Sequence, residues 1–196
     1  MTTDHERQIA MAMAVDNFAW QVGLLTDDDW RKPTPCDGWS VYDIVDHVVA
    51  GEHYVMRVMG GATADEAADG LVGLDASESP AEHRRRLDEA SDGALTAFTT
   101  DLDQLVNHRV GKITARLFLE YRFIDQLGHT WDIATAAGHQ LETDPTLLQL
   151  GVDIARAERE TLERSPNFAT SADDDIDTSD LLSEFVSLIG RRPDAS

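Results

Sequence analysis

Helix start and stop signals divide most of this chain, and no segment alternates apolar and polar residues as a half-buried strand would. From about Asp4 to Leu25, Ile9, Met13, Asp16, Trp20 and Leu24 recur every three or four residues and form one stripe on a helix, which Asp27-Asp28-Asp29 ends. Ser40 is a good N-cap with Asp43 three residues on, a capping box with Asp in place of Glu, and Trp39 before it is placed to pack on Ile44. The helix that follows carries Val41, Ile44, Val48, Gly51, Val55 and Val58 in one stripe and stops at Gly60-Gly61. Ala62 to Glu78 is small and acidic, a loop with room for one helical turn. Ser79-Pro80-Ala81-Glu82 starts a third helix, expected to reach about Leu105. Gly111 precedes a fourth, from about Lys112 to Ala137, closed by Gly138. Asp144-Pro145 opens a fifth, ending near Ser165-Pro166. A polar, acidic loop over 167–177 leads to a last short helix over 179–189, which Arg191-Arg192-Pro193 leaves.

The pattern predicts an all-α fold, most simply a four-helix bundle with an additional short C-terminal helix. One domain is expected over 1–166, with 167–196 an acidic loop and short helix packing on it. The roughly twenty residues between the second and third long helices leave room for a crossover.

Charge narrows the partners. The 196 residues hold 37 acidic and 16 basic side chains, a net −21. A field of that sign repels phosphate backbones and anionic headgroups, so neither nucleic acid nor a membrane is expected as a partner. A GC-rich genome and a salt-loving host account equally well for the acidity. The single cysteine, Cys36, excludes an intramolecular disulfide and a multi-cysteine zinc site. With neither a secretory signal nor a spanning apolar run, the expected location is the cytoplasm.

No phosphate loop, nucleophile elbow, H-E-x-x-H or Cys-x-x-Cys is present. What remains is polar residues on apolar helices. Asp125 and His129, four apart, share one helix face, and Asp132 follows. A carboxylate and an imidazole one turn apart can share a divalent metal, but spacing alone favours an exposed ion pair. His47 lies beside the second helix's apolar stripe, where a lone histidine is more often a satisfied core or boundary residue. His5, His53, His83, His108 and His139 read as surface. Cys36 reads first as a small buried loop residue and second as a reactive thiol. Asp173-Asp174-Asp175 lacks calcium-loop spacing and reads as a solvated turn.

Two stretches together change this weighting. Thr34-Pro35-Cys36-Asp37-Gly38-Trp39-Ser40-Val41, followed by Ile44-Val45-Asp46-His47-Val48, resembles the second-helix region of actinobacterial DinB-like proteins, relatives of the metal-binding domain of mycothiol-dependent maleylpyruvate isomerase. Asp125-x-x-x-His129-x-Trp131-Asp132-Ile133-Ala134-x-Ala136-x-Gly138 resembles the same family's fourth-helix motif, and Leu181 to Pro193 is similar to its C-terminus. The resemblance implies a DinB-like bundle holding one divalent metal, zinc foremost, with nickel or iron as alternatives. The ligands it implies are His47, Asp125 and His129, Asp125 being a shorter arm than the isomerase's Glu.

Two imidazoles and one carboxylate would leave zinc at net +1 with a fourth position open, the mark of a catalytic site. That charge would activate a low-molecular-weight thiol. Asp43 or Asp132 would orient a ligand imidazole through its other nitrogen, and Cys36 and Trp39 would line the pocket. Alternatively, Asp132 serves only packing around Trp131. The resemblance thus implies a divalent-metal-binding protein, with a metal-dependent thiol transferase or isomerase on small molecules as the catalytic reading. A non-catalytic or stress-related metal-binding module and a metal-free structural bundle are the alternatives. The expected partners are a small-molecule substrate or thiol and a second copy of the chain, as a homodimer. The isomerase carries a further C-terminal domain, for which about thirty residues after the fifth helix leave no room.

Overall fold

The computed structural model describes residues 2–141, 143–163 and 176–192. Its helices are α1 (Asp4–Leu24), α2 (Val41–Met59), α3 (Ala64–Ala68), α4 (Pro80–Ala97), α5 (Ala115–Ala137), α6 (Pro145–Ala157), α7 (Arg159–Glu163) and α8 (Leu181–Leu188). A 3₁₀ turn covers Asp29–Arg31, and one antiparallel hairpin joins β1 (Leu105–His108) to β2 (Gly111–Thr114). The fold is all-α in its body. Four long helices form a ring of neighbours in the order α1, α5, α2, α4, while α6 packs on α5 and receives α8. Among the described residues no helix is long and apolar enough to cross a membrane.

Local chemistry sets the helix ends. Thr3, Ser40 and Thr63 each head a reciprocal capping box, with Glu6, Asp43 and Glu66 respectively. Pro80 and Pro145 sit in first turns, where a missing amide hydrogen costs nothing. Gly138, at φ +74°, closes α5 as the left-handed residue of a Schellman-type end, with His139 N–H donating to the Ala134 carbonyl. The stripe expected on α2 is its packed face: Val41, Ile44, Val48, Val55 and Val58 are buried.

Three expectations need correction. The stripe of Ile9, Met13, Trp20 and Leu24 on α1 faces outward, with Trp20 68% exposed. Met11, Ala14, Val15, Phe18 and Val22 are the packed face instead. α1 is apolar on more than one side, so periodicity cannot choose between stripes, and the alanines permit the closer approach to α5. Second, α4 stops at Ala97 rather than near Leu105, and α5 starts at Ala115 rather than Lys112, because a hairpin lies between. Strands of four residues give alternation too few positions to show, and only Val106 in them is fully buried. Third, the connection after α2 does not cross the bundle: it contains α3 and returns to α4, α2's neighbour.

Several histidines expected on the surface are inside. His83 is buried against Trp30, ring centroids 5.0 Å apart, and its Nε2–H donates to the Asp75 carbonyl at 3.0 Å. His53, His108 and His139 are half-buried, and only His5 is exposed. The fifth helix, expected unbroken from Asp144-Pro145 to near Ser165-Pro166, is interrupted: α6 ends at Ala157, Glu158 leaves helical geometry, and α7 follows over Arg159–Glu163. Most of the 167–177 loop, the Asp173-Asp174-Asp175 turn and the division at 166/167 lie outside the described residues.

Candidate metal centre

Three elements converge near the middle of α5. From Arg122 to Ala134 every α5 residue is buried, so polar side chains here answer to one another rather than to water. Across from them, α2 presents His47 on the flank of its packed stripe. The loop before α2 supplies the third wall. Pro33 bridges Ser40, Trp39 N–H donates to the Cys36 carbonyl, and Gly38 at φ +80° takes the turn position that a side chain would strain. The turn lays Trp39 over both imidazoles: its ring is 4.9 Å from His47 and stacks at 5.7 Å on His129.

His47 Nε2 lies 3.4 Å from Asp125 Oδ2, and His129 Nε2 lies 3.5 Å from Asp125 Oδ1. One ligand atom from each residue falls within a 4.8 Å cluster. Tetrahedral zinc with bonds of about 2.0–2.1 Å separates its donor atoms by about 3.3–3.4 Å. The observed separations are long for hydrogen bonds and close to that edge length. His47 Nε2 is buried without a hydrogen-bond partner, the condition a lone pair awaiting a cation would show. The shorter Asp125 arm reaches both imidazoles.

Two arginines flank this trio. Arg122 Nη1 donates to Asp125 Oδ2 at 2.7 Å, and its Nη2 donates to Glu52 Oε1 at 3.1 Å. Glu52 is completely buried. Gly51 makes room, since a Cβ there would come within 2.6 Å of the Arg122 guanidinium. On the other side, His129 Nδ1 lies 2.9 Å from Asp132 Oδ2. Arg191 grips Asp132 from both ends, Nε to Oδ1 at 3.1 Å and Nη2 to Oδ2 at 2.8 Å.

Burial opposes the charge of Asp125, but His47, Arg122 and His129 outweigh it and hold the carboxyl well below the usual range. Burial likewise opposes ionisation of Asp132, and hydrogen bonds from His129 and Arg191 keep it low. An ionised Asp132 can only accept, so His129 Nδ1 carries a proton. Burial opposes a second proton on Nε2, but Asp125 and Asp132 outweigh it and raise the imidazole, and a metal ion would take that proton's place beside Asp125. Glu52 differs: burial dominates over Arg122 and pushes its carboxyl up.

A cavity of about 470 Å³ opens beside the trio, lined by His47, Asp125, Arg122, Tyr54, His108 and Tyr121 among others. Burial pushes the His108 imidazole down to about 4, so it is neutral at pH 7. Tyr121 is pushed up to about 12, chiefly by burial.

The structure brings His47, Asp125, His129 and Asp132 together, with Trp39 as a cover. Cys36 is half-buried nearby, and burial pushes its thiol up, away from the reactive thiolate. Asp43 is not part of the group. It is exposed, and its carboxylate accepts from Ser40 N–H and Oγ–H at 2.8 and 2.6 Å, so the capping box uses the side chain. Trp39 covers the imidazoles and packs against the core cluster to which Ile44 belongs. Sequence reasoning missed Glu52, Arg122, Arg191 and His108. An Arg–Asp pair three apart was a visible cue for Arg122; nothing local pointed to Arg191, 59 residues from its partner.

Comparison with known proteins places the chain in a family and a fold. Residues 11–134 match the family described as the mycothiol maleylpyruvate isomerase N-terminal domain. An uncharacterized protein of Mycobacterium tuberculosis, Rv0738, is 30% identical over 150 residues, covering 76% of this chain and 77% of that one. The crystal structure of the mycothiol-dependent maleylpyruvate isomerase is similar with a TM-score of 0.61 at 15% identity, covering 79% of this chain and 72% of that one. A DinB family protein from Exiguobacterium sibiricum gives 0.55 at 20% identity, covering 72% of this chain and 95% of that one. At these identities the two structures speak to the fold.

Proposed function

This chain belongs to the mycothiol maleylpyruvate isomerase N-terminal domain family, and from that premise we propose that it binds one divalent metal, zinc foremost, through His47, Asp125 and His129 and acts as a thiol-dependent transferase or isomerase on small molecules. The observation that carries the reading is a donor trio whose ligand atoms lie within 4.8 Å of one another, with His47 Nε2 left without a hydrogen-bond partner beside a cavity.

A divalent ion there would supply Lewis acidity and lower the pKa of a thiol brought to it. The chain's own residues do the rest. Asp132 fixes the His129 tautomer. Trp39 keeps water from one side of the imidazoles. Arg122 anchors the Asp125 carboxylate, so the ligand need not be ordered on binding. In the cavity, neutral His108 offers a hydrogen bond to a small electrophile without adding charge, and the Tyr121 hydroxyl, whose hydrogen goes to Glu158 at 3.0 Å, can accept one. The cavity beside the trio supports turnover over a purely binding role.

Elemental analysis of wild type beside His129→Ala tests the reading. We expect about one zinc or nickel per wild-type chain and none held by the variant. Absence of metal from both, even after incubation with zinc, would leave the trio a buried polar network. If metal is found, mycothiol, bacillithiol and glutathione are to be screened against small electrophiles, and turnover lost in His129→Ala is the expected result.

A further inference from the structure

Helix α8 ends in a Schellman motif. Gly190 N–H donates to the Ser187 carbonyl at 3.0 Å and Arg191 N–H to the Val186 carbonyl at 2.8 Å, with Gly190 at φ +80°. The motif turns the chain, and Arg191 enters the bundle instead of leaving it: the residue is only 7% exposed. Its guanidinium makes two hydrogen bonds to Asp132, and Nη1 donates to the Ile189 carbonyl at 3.2 Å. The planar fork matches both carboxylate oxygens, which a lysine cannot do.

The rest of α8 is fitted to the same region. A Cβ on Gly128, one residue before His129, would come within 2.6 Å of Ile189 Cδ1. A Cβ on Gly151 of α6 would meet the Phe185 ring at 2.9 Å. Two glycines thus make notches for Ile189 and Phe185, and Arg191 completes the docking at Asp132. Asp132 in turn holds His129 Nδ1–H, with both oxygens engaged and the side chain fully buried.

We propose that Arg191 is a positioning residue for the metal centre, holding Asp132 and through it the His129 ring, so that docking of the C-terminal segment and metal binding strengthen each other. This rests on the metal reading above. The coupling is reciprocal by necessity: a segment that raises metal affinity when docked is itself held more firmly when metal is bound. Partners of a metal-ligating histidine's second nitrogen commonly change metal affinity about 10–100-fold.

The test uses the full chain, stripped of metal and titrated with zinc against a chromophoric chelator, as wild type, Arg191→Lys and Arg191→Ala. Hydrogen exchange of the 181–189 amides is followed with and without zinc. We expect affinity about 10–100-fold weaker in Arg191→Ala, an intermediate value in Arg191→Lys, and zinc-dependent slowing of exchange in wild type that is lost in Arg191→Ala. Circular dichroism checks that the variants fold; should Arg191→Ala not fold, Arg191→Lys and the wild-type exchange decide the matter. Wild type that takes up zinc, variants within twofold of it and exchange indifferent to zinc would overturn the coupling and leave the metal reading intact. Wild type that takes up no zinc would overturn the metal reading itself, and the coupling with it.

Discussion

The candidate centre is held between two arginines that do opposite work. On the sealed side, Arg191 meets a carboxylate whose oxygens are both engaged, and the tie is complete. On the cavity side, Arg122 spans Asp125 and Glu52, yet Arg122 Nε and Glu52 Oε2 are buried without partners. A satisfied network is rigid and specifies one arrangement; an incompletely satisfied one keeps buried polar atoms in reserve. The first suits a clamp. The second suits a wall that has to accommodate a ligand.

The largest effect should come from cutting the incomplete tie. Removing one member of a buried ion pair costs up to about 3–5 kcal/mol, and without Glu52 the buried Arg122 keeps only Asp125 as its partner. Glu52→Ala is therefore expected to lower the melting temperature by on the order of 10 °C, measured by calorimetry. A shift near zero would mean that Glu52 does not support Arg122. A gentler break is Gly51→Ala, which drives a methyl into the guanidinium. Overpacking of this kind costs about 1–3 kcal/mol. Zinc affinity should fall along with stability, because the displaced Arg122 also holds Asp125. Unchanged affinity would show that Asp125 is positioned without it.

The cavity side is tested by pH, where the effect is absent at neutrality. His108 is pushed down to about 4 in the folded chain, against about 6.5 when unfolded. Its contribution to stability is thus full above pH 6.5, is lost as pH falls toward 4, and is flat below. Denaturant melts of wild type and His108→Gln should converge or diverge only within that window. A constant difference from pH 7 to 4 would place His108 in water.

What the sequence could show follows the range of the interactions. The Asp125–His129 spacing and the Ser40 box are local, and both could be read from a few residues. Family resemblance linked them to His47 across the bundle. The Trp39 cover depends on a turn whose Gly38 signals the bend but not what lies beneath it. Trp20 and Ile9 misled because apolar residues on a surface helix follow the same spacing as those in a core. Glu52 and Arg191 were hidden for another reason: a buried charge is identified by its partner, and theirs lie 70 and 59 positions away.

That last separation has a consequence in time. His47, Asp125 and His129 all precede Arg191 in the chain, the last of them by 62 positions (191 minus 129). At synthesis rates of about 5–20 residues per second, Arg191 is made roughly 3–12 s after His129. Every new molecule therefore passes through an interval in which the three donors exist and the residue that steadies one of them has yet to be added. An ion captured in that interval would meet an unclamped His129, and the arrival of Arg191 would then slow its escape.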